Sequence, residues 1–412
     1  MNNCGPIVKS EISREVVRRN KHKVALLLGY CGDQYYGSQY NEHHDLNLQI
    51  PTIEGELFRA LSKSKLISEL NAQKFSRIHL QRTTRTDKGV HALGNIISVK
   101  LLTNGYDELS IKDDINSNLP KDIKVWQVQR VNKNFNPRKA CGSRRYEYII
   151  PTYSFELGAD KLDALLQLKL NGTFSTADLD IIKQYPTLSL KDYPHLTFGI
   201  KQYLMSAHNE LTKYRLSIQR WNQFRTILKM FQGTHNFHNY TSMKTTKGIK
   251  DSNKRHIIDI DISKPYQISN RLGEWISIIL EGQSFLLHQI RKMVSMSVMS
   301  MIHGFPSSYI NESFEPQPMS IPKAPSLGLI LQETKFTSYN KKLQQLGYDP
   351  ISFDNCQDNL SEFKKNHILK RITQNETENL EFIKYLHYIC YSKLADKSNL
   401  SKISDNNDQF SV

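Results

Sequence analysis

Arg85-Thr86-Asp87-Lys88-Gly89-Val90-His91-Ala92 places one acidic residue in a basic loop that turns at a glycine. Upstream, Ser76-Arg77-Ile78-His79-Leu80 reads as strand. Downstream, Gly94-Asn95-Ile96-Ile97-Ser98-Val99-Lys100-Leu101 alternates Ile96, Ser98 and Lys100 with Ile97, Val99 and Leu101. A loop between two strands displays a reactive group on a rigid frame. A carboxylate two residues from Arg85 and one from Lys88 is expected to stay ionised and to be held in one orientation, which suits it to nucleophilic attack. Taken alone, such a loop more often holds a turn aspartate satisfied by nearby backbone amides.

The 412 residues carry a formal net charge of +15, with 55 lysines and arginines against 40 acids. That balance suits RNA, DNA or an anionic membrane. The cations are spread along the chain, which indicates a folded basic surface and not a polybasic arm. No apolar run is long enough to span a bilayer; Val24-Ala25-Leu26-Leu27-Leu28 is strand-sized. Cys4, Cys31, Cys141, Cys356 and Cys390 are odd in number, far apart and without a CxxC pair. Neither a zinc site nor a disulfide framework is indicated, and reduced thiols are expected. The lead-in holds Arg14, Arg18, Arg19, Lys21 and Lys23, but also Glu11 and Glu15, which an ordinary transit peptide lacks. Arg18 to Lys23 could equally serve nuclear import or be a solvated lead-in.

Lys23 to Tyr30 reads as a buried strand. Thr52 can cap a helix carrying Ile53, Leu57, Ala60 and Leu61, with Glu54 and Glu56 near its positive end. Ser110 and Asp113 make a capping-type start to a short helix before Pro120. Ile123 to Val131 and Tyr146 to Ile150 alternate as strands. From Tyr153 to Lys213 periodicity weakens, and helices are expected there. An amphipathic helix follows at Ile218 to Phe231, then strands at His256 to Ser263 and Trp275 to Glu281. A long apolar helix runs from Ser284 to Ile302, and a short strand from Gly328 to Gln332. Glu378 to Leu394 is helical in pattern, and Lys397 to Val412 is polar enough to be disordered. This order gives an α+β chain with two comparable halves.

Four further blocks stand out. Cys31-Gly32-Asp33-Gln34-Tyr35-Tyr36-Gly37-Ser38-Gln39-Tyr40 is a turn with interleaved tyrosines. Phe135-Asn136-Pro137-Arg138 leads into Arg144-Arg145-Tyr146-Glu147-Tyr148, two same-face strand aromatics behind three arginines. Gly233-Thr234-His235-Asn236-Phe237-His238 places two histidines three apart, yet no Cys or third His sits at ligand spacing. His235 is better read as a support hydrogen-bonded to backbone. Glu281-Gly282-Gln283-Ser284-Phe285-Leu286-Leu287-His288-Gln289-Ile290-Arg291-Lys292-Met293 sets Arg291 in an apolar helix, where a guanidinium needs a buried acid.

Together with Ala324-Pro325-Ser326-Leu327-Gly328-Leu329, these blocks resemble, in order, the motifs of the TruA-like pseudouridine synthases, which isomerise uridine in tRNA. The likeness runs from about Lys23 to about Leu394 and is nearest the fungal branch acting on nuclear and mitochondrial tRNA. It implies two RRM-like halves sharing a central mixed, largely antiparallel sheet with flanking helices, and an active cleft between them. It implies Asp87 as nucleophile, Tyr146 packing the target base, Arg291 paired with Asp87, and Arg85 positioning the carboxylate or filling the space the base vacates. Leu329 becomes a pocket residue, and Lys88, Arg138, Arg144 and Arg145 become RNA contacts. No cofactor and no metal are implied; the partner is tRNA, with no membrane, and monomer and homodimer stay open. The branch acts on the anticodon stem-loop, at about positions 27 and 28. The expected organisation is a basic lead-in at 1–22, a first half at 23–152, a divergent connection at 153–213, a second half at 214–338, a helical extension at 339–396 and a tail at 397–412. A non-catalytic RNA binder or tRNA chaperone on the same scaffold is the alternative. Thr83, Thr84 and Leu93 depart from the family's small residues, which leaves compartment, mitochondrial or nuclear, and tRNA choice open; the short lead-in leans mitochondrial.

Overall fold

β1 (Lys21–Tyr30) starts the core: Val24 to Leu28 are fully buried because this strand lies between two others. The structure, a computed structural model, describes residues 21–42, 50–103, 105–156, 175–184, 196–242, 251–269 and 272–391. The expectations for 1–20 and 397–412 lie outside these. Helix α1 (Ile53–Lys63) is capped as expected by Thr52, whose Oγ1 accepts the Gly55 amide at 3.1 Å. β2 (Gln81–Arg82) is two residues long. The strand expected at Ser76 to Leu80 is instead a 3₁₀ turn, Phe75–Ile78, followed by His79 at φ 48°, which no strand accommodates. β3 (His91–Leu102) runs antiparallel to β1, Val24 opposite Val99. α2 (Glu108–Asn118) starts earlier than Ser110: its cap is Asp107, which accepts the Ser110 amide at 2.7 Å. Ile111 and Ile115 are its buried face. β4 (Ile123–Arg130) pairs with the other side of β1.

The second half opens with β5 (Ser143–Pro151). The connection contains helices α3 (Thr176–Lys183) and α4 (Thr197–Leu211), followed by α5 (Ile218–Lys229). Then come β6 (Gly233–Asn236), β7 (Lys254–Ile262), β8 (Tyr266–Gln267), β9 (Glu274–Gly282), α6 (Gln289–His303) and β10 (Leu329–Lys335). The helix expected from Ser284 begins at Gln289, because His288 at φ 64° breaks the helical path before it.

The ten strands among the described residues form one sheet in the order β4-β1-β3-β10-β5-β9-β7-β6, with β2 on β3 and β8 on β9. The first half is ordered β4-β1-β3, and the second repeats that pattern as β10-β5-β9, with β7 beyond. Among the described strands every pairing is antiparallel except β3 with β10, where His91 faces Ile330 and Ala92 faces Leu331. That parallel seam joins the halves. β5 pairs with β10 and β9, so it belongs to the second half. β5 lies within the stretch 23–152 expected as the first half, yet its described pairings are with later strands.

After a helix at Thr337–Gln345, the extension packs α7 (Gln357–Phe363), α8 (Lys370–Asn379) and α9 (Glu381–Tyr391) together. A π-helical turn, Lys364–Leu369, joins the first two. Leu380 at φ 55° separates the last two, which delays the helix expected from Glu378. The extension straddles the seam. Phe363 meets Trp126 edge-on at 5.3 Å, and Arg371 and Asn375 both hold Asp33, in the first half. Phe382 meets Trp275 at 5.5 Å, Tyr153 donates to Glu376 at 2.7 Å, and Tyr385 donates to Ser295 at 2.7 Å, in the second. Each aromatic pair adds about 0.5–1.5 kcal/mol beyond its buried area.

Candidate active site

The Asp87 loop is clamped on both sides. Ser38 donates its amide to the Thr86 carbonyl at 3.0 Å, and its Oγ accepts the Thr86 amide at 2.8 Å. Gly37, at φ +88°, lies so close that a Cβ there would stand 3.0 Å from the Thr86 carbonyl oxygen. The Tyr30 hydroxyl is 2.9 Å from Thr86 Oγ1, and Asn95 donates to the Thr84 carbonyl at 3.1 Å. Burial pushes Tyr30 up to about 12, so it remains a neutral hydroxyl at neutral pH. The turn itself closes with the Val90 amide on the Asp87 carbonyl at 3.1 Å and with Gly89 at φ +79°. A Cβ at Gly89 would lie 2.7 Å from Ser326 Oγ, so the turn also packs against the loop before β10.

The groups around Asp87 come from distant chain. Its Oδ2 lies 3.5 Å from Nε2 of His288, and its side chain keeps 29% exposure. Burial raises its pKa; the charges of Arg291 and then Lys323 pull it back. The charges that act most on Asp87 are thus not those of its sequence neighbours Arg85 and Lys88. Arg85 is exposed, and Lys88 lies over the Tyr36 ring at 5.5 Å. In an irregular loop adjacent side chains diverge, so nearness in sequence is not nearness in charge.

Arg291 is buried in α6, as its apolar surroundings require. Burial lowers its pKa, and Tyr148, Asp87, Glu381 and Tyr385 oppose that shift. The expected contact with Asp87 is modified. Arg291 Nε donates to the Ala324 carbonyl at 2.6 Å, and among the described residues no Asp87–Arg291 ion pair falls within 4.0 Å. The guanidinium acts on the carboxylate through space. Tyr146 is buried beside Phe285, edge-on at 5.2 Å. Burial pushes its pKa far up, with Thr84 and Arg144 opposing, so its ring suits packing and its hydroxyl stays protonated. Tyr148 is core, donating to the Pro325 carbonyl at 2.8 Å. Leu329 is buried at the start of β10, opposite Tyr148.

Among the arginines expected on RNA, Arg138 is exposed after the Asn136 cap. Arg144 braces the site, reaching the Gln283 carbonyl at 2.5 Å and the Thr83 carbonyl at 3.5 Å. Arg145 points to the opposite face of β5, where its charge acts on Glu281 and Glu333. His235 holds the Gln232 carbonyl at 3.0 Å and stacks on Phe314, a support as expected. Among the described residues no group of three His, Cys, Asp or Glu is placed to hold a metal ion. No described helix is long and apolar enough to cross a membrane. His288 and Lys323 were not singled out from sequence, although both lie inside or beside the quoted blocks. A carboxylate in a half-open slot, faced by two cations and flanked by a packed tyrosine, can attack an electrophilic carbon delivered from a nucleic acid.

A family model described as tRNA pseudouridine synthase matches residues 227–337. The chain is 38% identical to tRNA pseudouridine synthase 1 of Candida glabrata, over 90% of this chain and 71% of that protein. It is 39% identical to the enzyme of the same name from Eremothecium gossypii, over 90% and 74%. It is 33% identical to the tRNA pseudouridine(27/28) synthase of Saccharomyces cerevisiae, over 88% and 97%. Likeness of this extent, over both sheet halves and the Asp87 loop between them, means that the chain belongs to the TruA-like tRNA pseudouridine synthase family.

Proposed function

We propose that this protein isomerises uridine to pseudouridine in tRNA, in the anticodon stem-loop near positions 27 and 28, with Asp87 as nucleophile. One observation carries the reading: Asp87 sits at the parallel seam, facing Arg291 and Lys323 and beside the packed ring of Tyr146. The uridine leaves its stack, since its glycosidic bond is out of reach inside a helix. Asp87 attacks it covalently, at the ribose anomeric carbon or at the base ring. The bond from N1 to the sugar breaks, the uracil turns, a bond from C5 to the sugar forms, and the bond to Asp87 breaks, which restores its carboxylate. The C5 proton leaves and N1 gains one, so no atom is lost and no cofactor is consumed. Tyr146 packs against the base, and the fixed cations stabilise the charge that builds during transfer without reorganising. The site choice draws on the relative named for positions 27 and 28, which is matched over 97% of its length. Incubation with an unmodified tRNA pool, followed by chemical mapping, should give pseudouridine at those positions. Binding without any product would leave an RNA binder instead. The basic lead-in suits import into mitochondria or the nucleus; a reporter fused to residues 1–22 that stays cytosolic would remove that reading.

A further inference from the structure

His288 stands between the Phe285-Leu286-Leu287 turn and the first turn of α6, and its backbone is left-handed at φ 64°. A histidine holds that conformation where the surroundings over-determine it. Its carbonyl accepts the Lys292 amide at 3.0 Å and begins the helix. Its ring is held at Nδ1, 2.7 Å from Ser242 Oγ, which turns Nε2 toward Asp87 Oδ2 at 3.5 Å. Burial, Arg291, Lys323 and Lys292 together press its pKa down to about 3, so the imidazole is neutral at physiological pH. A neutral imidazole has one N–H, and an ionised carboxylate only accepts. The hydrogen therefore belongs on Nε2, facing Asp87, and Nδ1 accepts from the Ser242 hydroxyl. This tautomer is assigned from the hydrogen-bond network.

We propose that His288 is a positioning residue for the nucleophile: Ser242 holds Nδ1 and so the ring, the Asp87 carboxylate selects the tautomer, and Nε2–H engages Oδ2 of Asp87, leaving Oδ1 as the attacking oxygen. The proposal rests on the pseudouridine synthase reading. A neutral donor steers the carboxylate without adding a third cation to Arg291 and Lys323. The 3.5 Å separation belongs to the substrate-free site, and such contacts shorten when substrate fills the cleft.

The test uses the whole protein and unmodified tRNA, measuring single-turnover rate, tRNA affinity and melting temperature. In His288→Asn the side chain tolerates the left-handed backbone and can still meet Ser242, but is too short for Asp87. Its rate should fall by about tenfold or more with affinity within about threefold. His288→Gln extends an amide N–H toward the Nε2 position and should recover most of the rate. Ser242→Ala removes the partner that holds Nδ1, freeing the ring to turn, and should cost a smaller factor, without change in affinity. A fully active His288→Asn, or a His288→Gln as slow as His288→Asn despite a wild-type melting temperature, overturns the role. An inactive wild-type protein removes the reaction itself and the role with it, whereas an active wild-type beside an equally active His288→Asn removes His288 alone.

Discussion

Arg291 and Ala324 hold each other twice: the guanidinium donates Nε to the Ala324 carbonyl at 2.6 Å, and the Ala324 amide donates to the Arg291 carbonyl at 3.2 Å. The loop before β10 is thereby tied to α6, and the charge of Arg291 is fixed beside Asp87 without touching it. Arg291 is the largest of the effects that lower the Asp87 pKa against burial. Asp87 must be ionised to attack, so the rate should fall on the acid side. Arg291→Met should raise the Asp87 pKa further and move that acid limb to higher pH, with a loss of about a hundredfold in kcat. An acid limb that stays where it is in the wild type would show that the two charges do not communicate. The same variant combined with Asp87→Leu should give a stability coupling of about 1 kcal/mol, below that of a contacting buried pair.

Asp87→Asn keeps the shape of the loop and removes the nucleophile. Pseudouridine formation should stop, while tRNA affinity stays within about threefold, because phosphate contacts lie elsewhere on the basic surface. Product above background from the purified variant would disqualify Asp87.

The reach of the sequence follows from where each signal is written. Asp87 and its following strand were legible because alternation and a turn glycine are local patterns. The preceding strand was misread because Ile78 and Leu80 alternate like strand residues while His79 takes a left-handed backbone. The burial of Arg291 was legible from its apolar helix. Its partner was not, because Ala324 offers a backbone carbonyl that leaves no mark in residue type. His288 and Lys323 approach Asp87 only through the tertiary fold, whereas the cations beside Asp87 in sequence turn elsewhere. The assignment of β5 to the second half likewise depends on pairing with β10 and β9, strands that come much later.

Glu376 is fully buried, accepting from Tyr153 at 2.7 Å and from the Phe382 amide at 2.8 Å. Burial raises its pKa to about 7. A carboxyl with a raised folded pKa binds its proton more tightly in the native state, so its contribution is full below about pH 4.3, the unfolded value, and declines as pH rises toward 7. Glu376→Gln should flatten the stability profile in that window, the difference from wild type amounting to about 2–3 kcal/mol between pH 5 and 8. Urea unfolding at a series of pH values checks this. Parallel curves for the two proteins would contradict it.

With a net charge of +15, binding should release several counterions. The logarithm of tRNA affinity should fall linearly with the logarithm of salt concentration, with a slope of several units. Arg138→Ala should reduce that slope by about one unit. Arg144→Ala should instead lower the melting temperature, because Arg144 spends its donors on the Gln283 and Thr83 carbonyls. A reversed pattern would exchange their roles.

The parallel seam between β3 and β10 also sets a schedule. During synthesis Asp87 and its strands leave the ribosome early, while Arg291, Lys323 and β10 follow roughly ten to fifty seconds later at about 5–20 residues per second. The clasp of Arg371 and Asn375 on Asp33 comes later still. Until then the nucleophile has no facing cations and its strand has one edge open. A nascent or stalled chain therefore displays the reactive loop without the means to use it, and the enzyme becomes competent only once the Arg291 helix and β10 have followed.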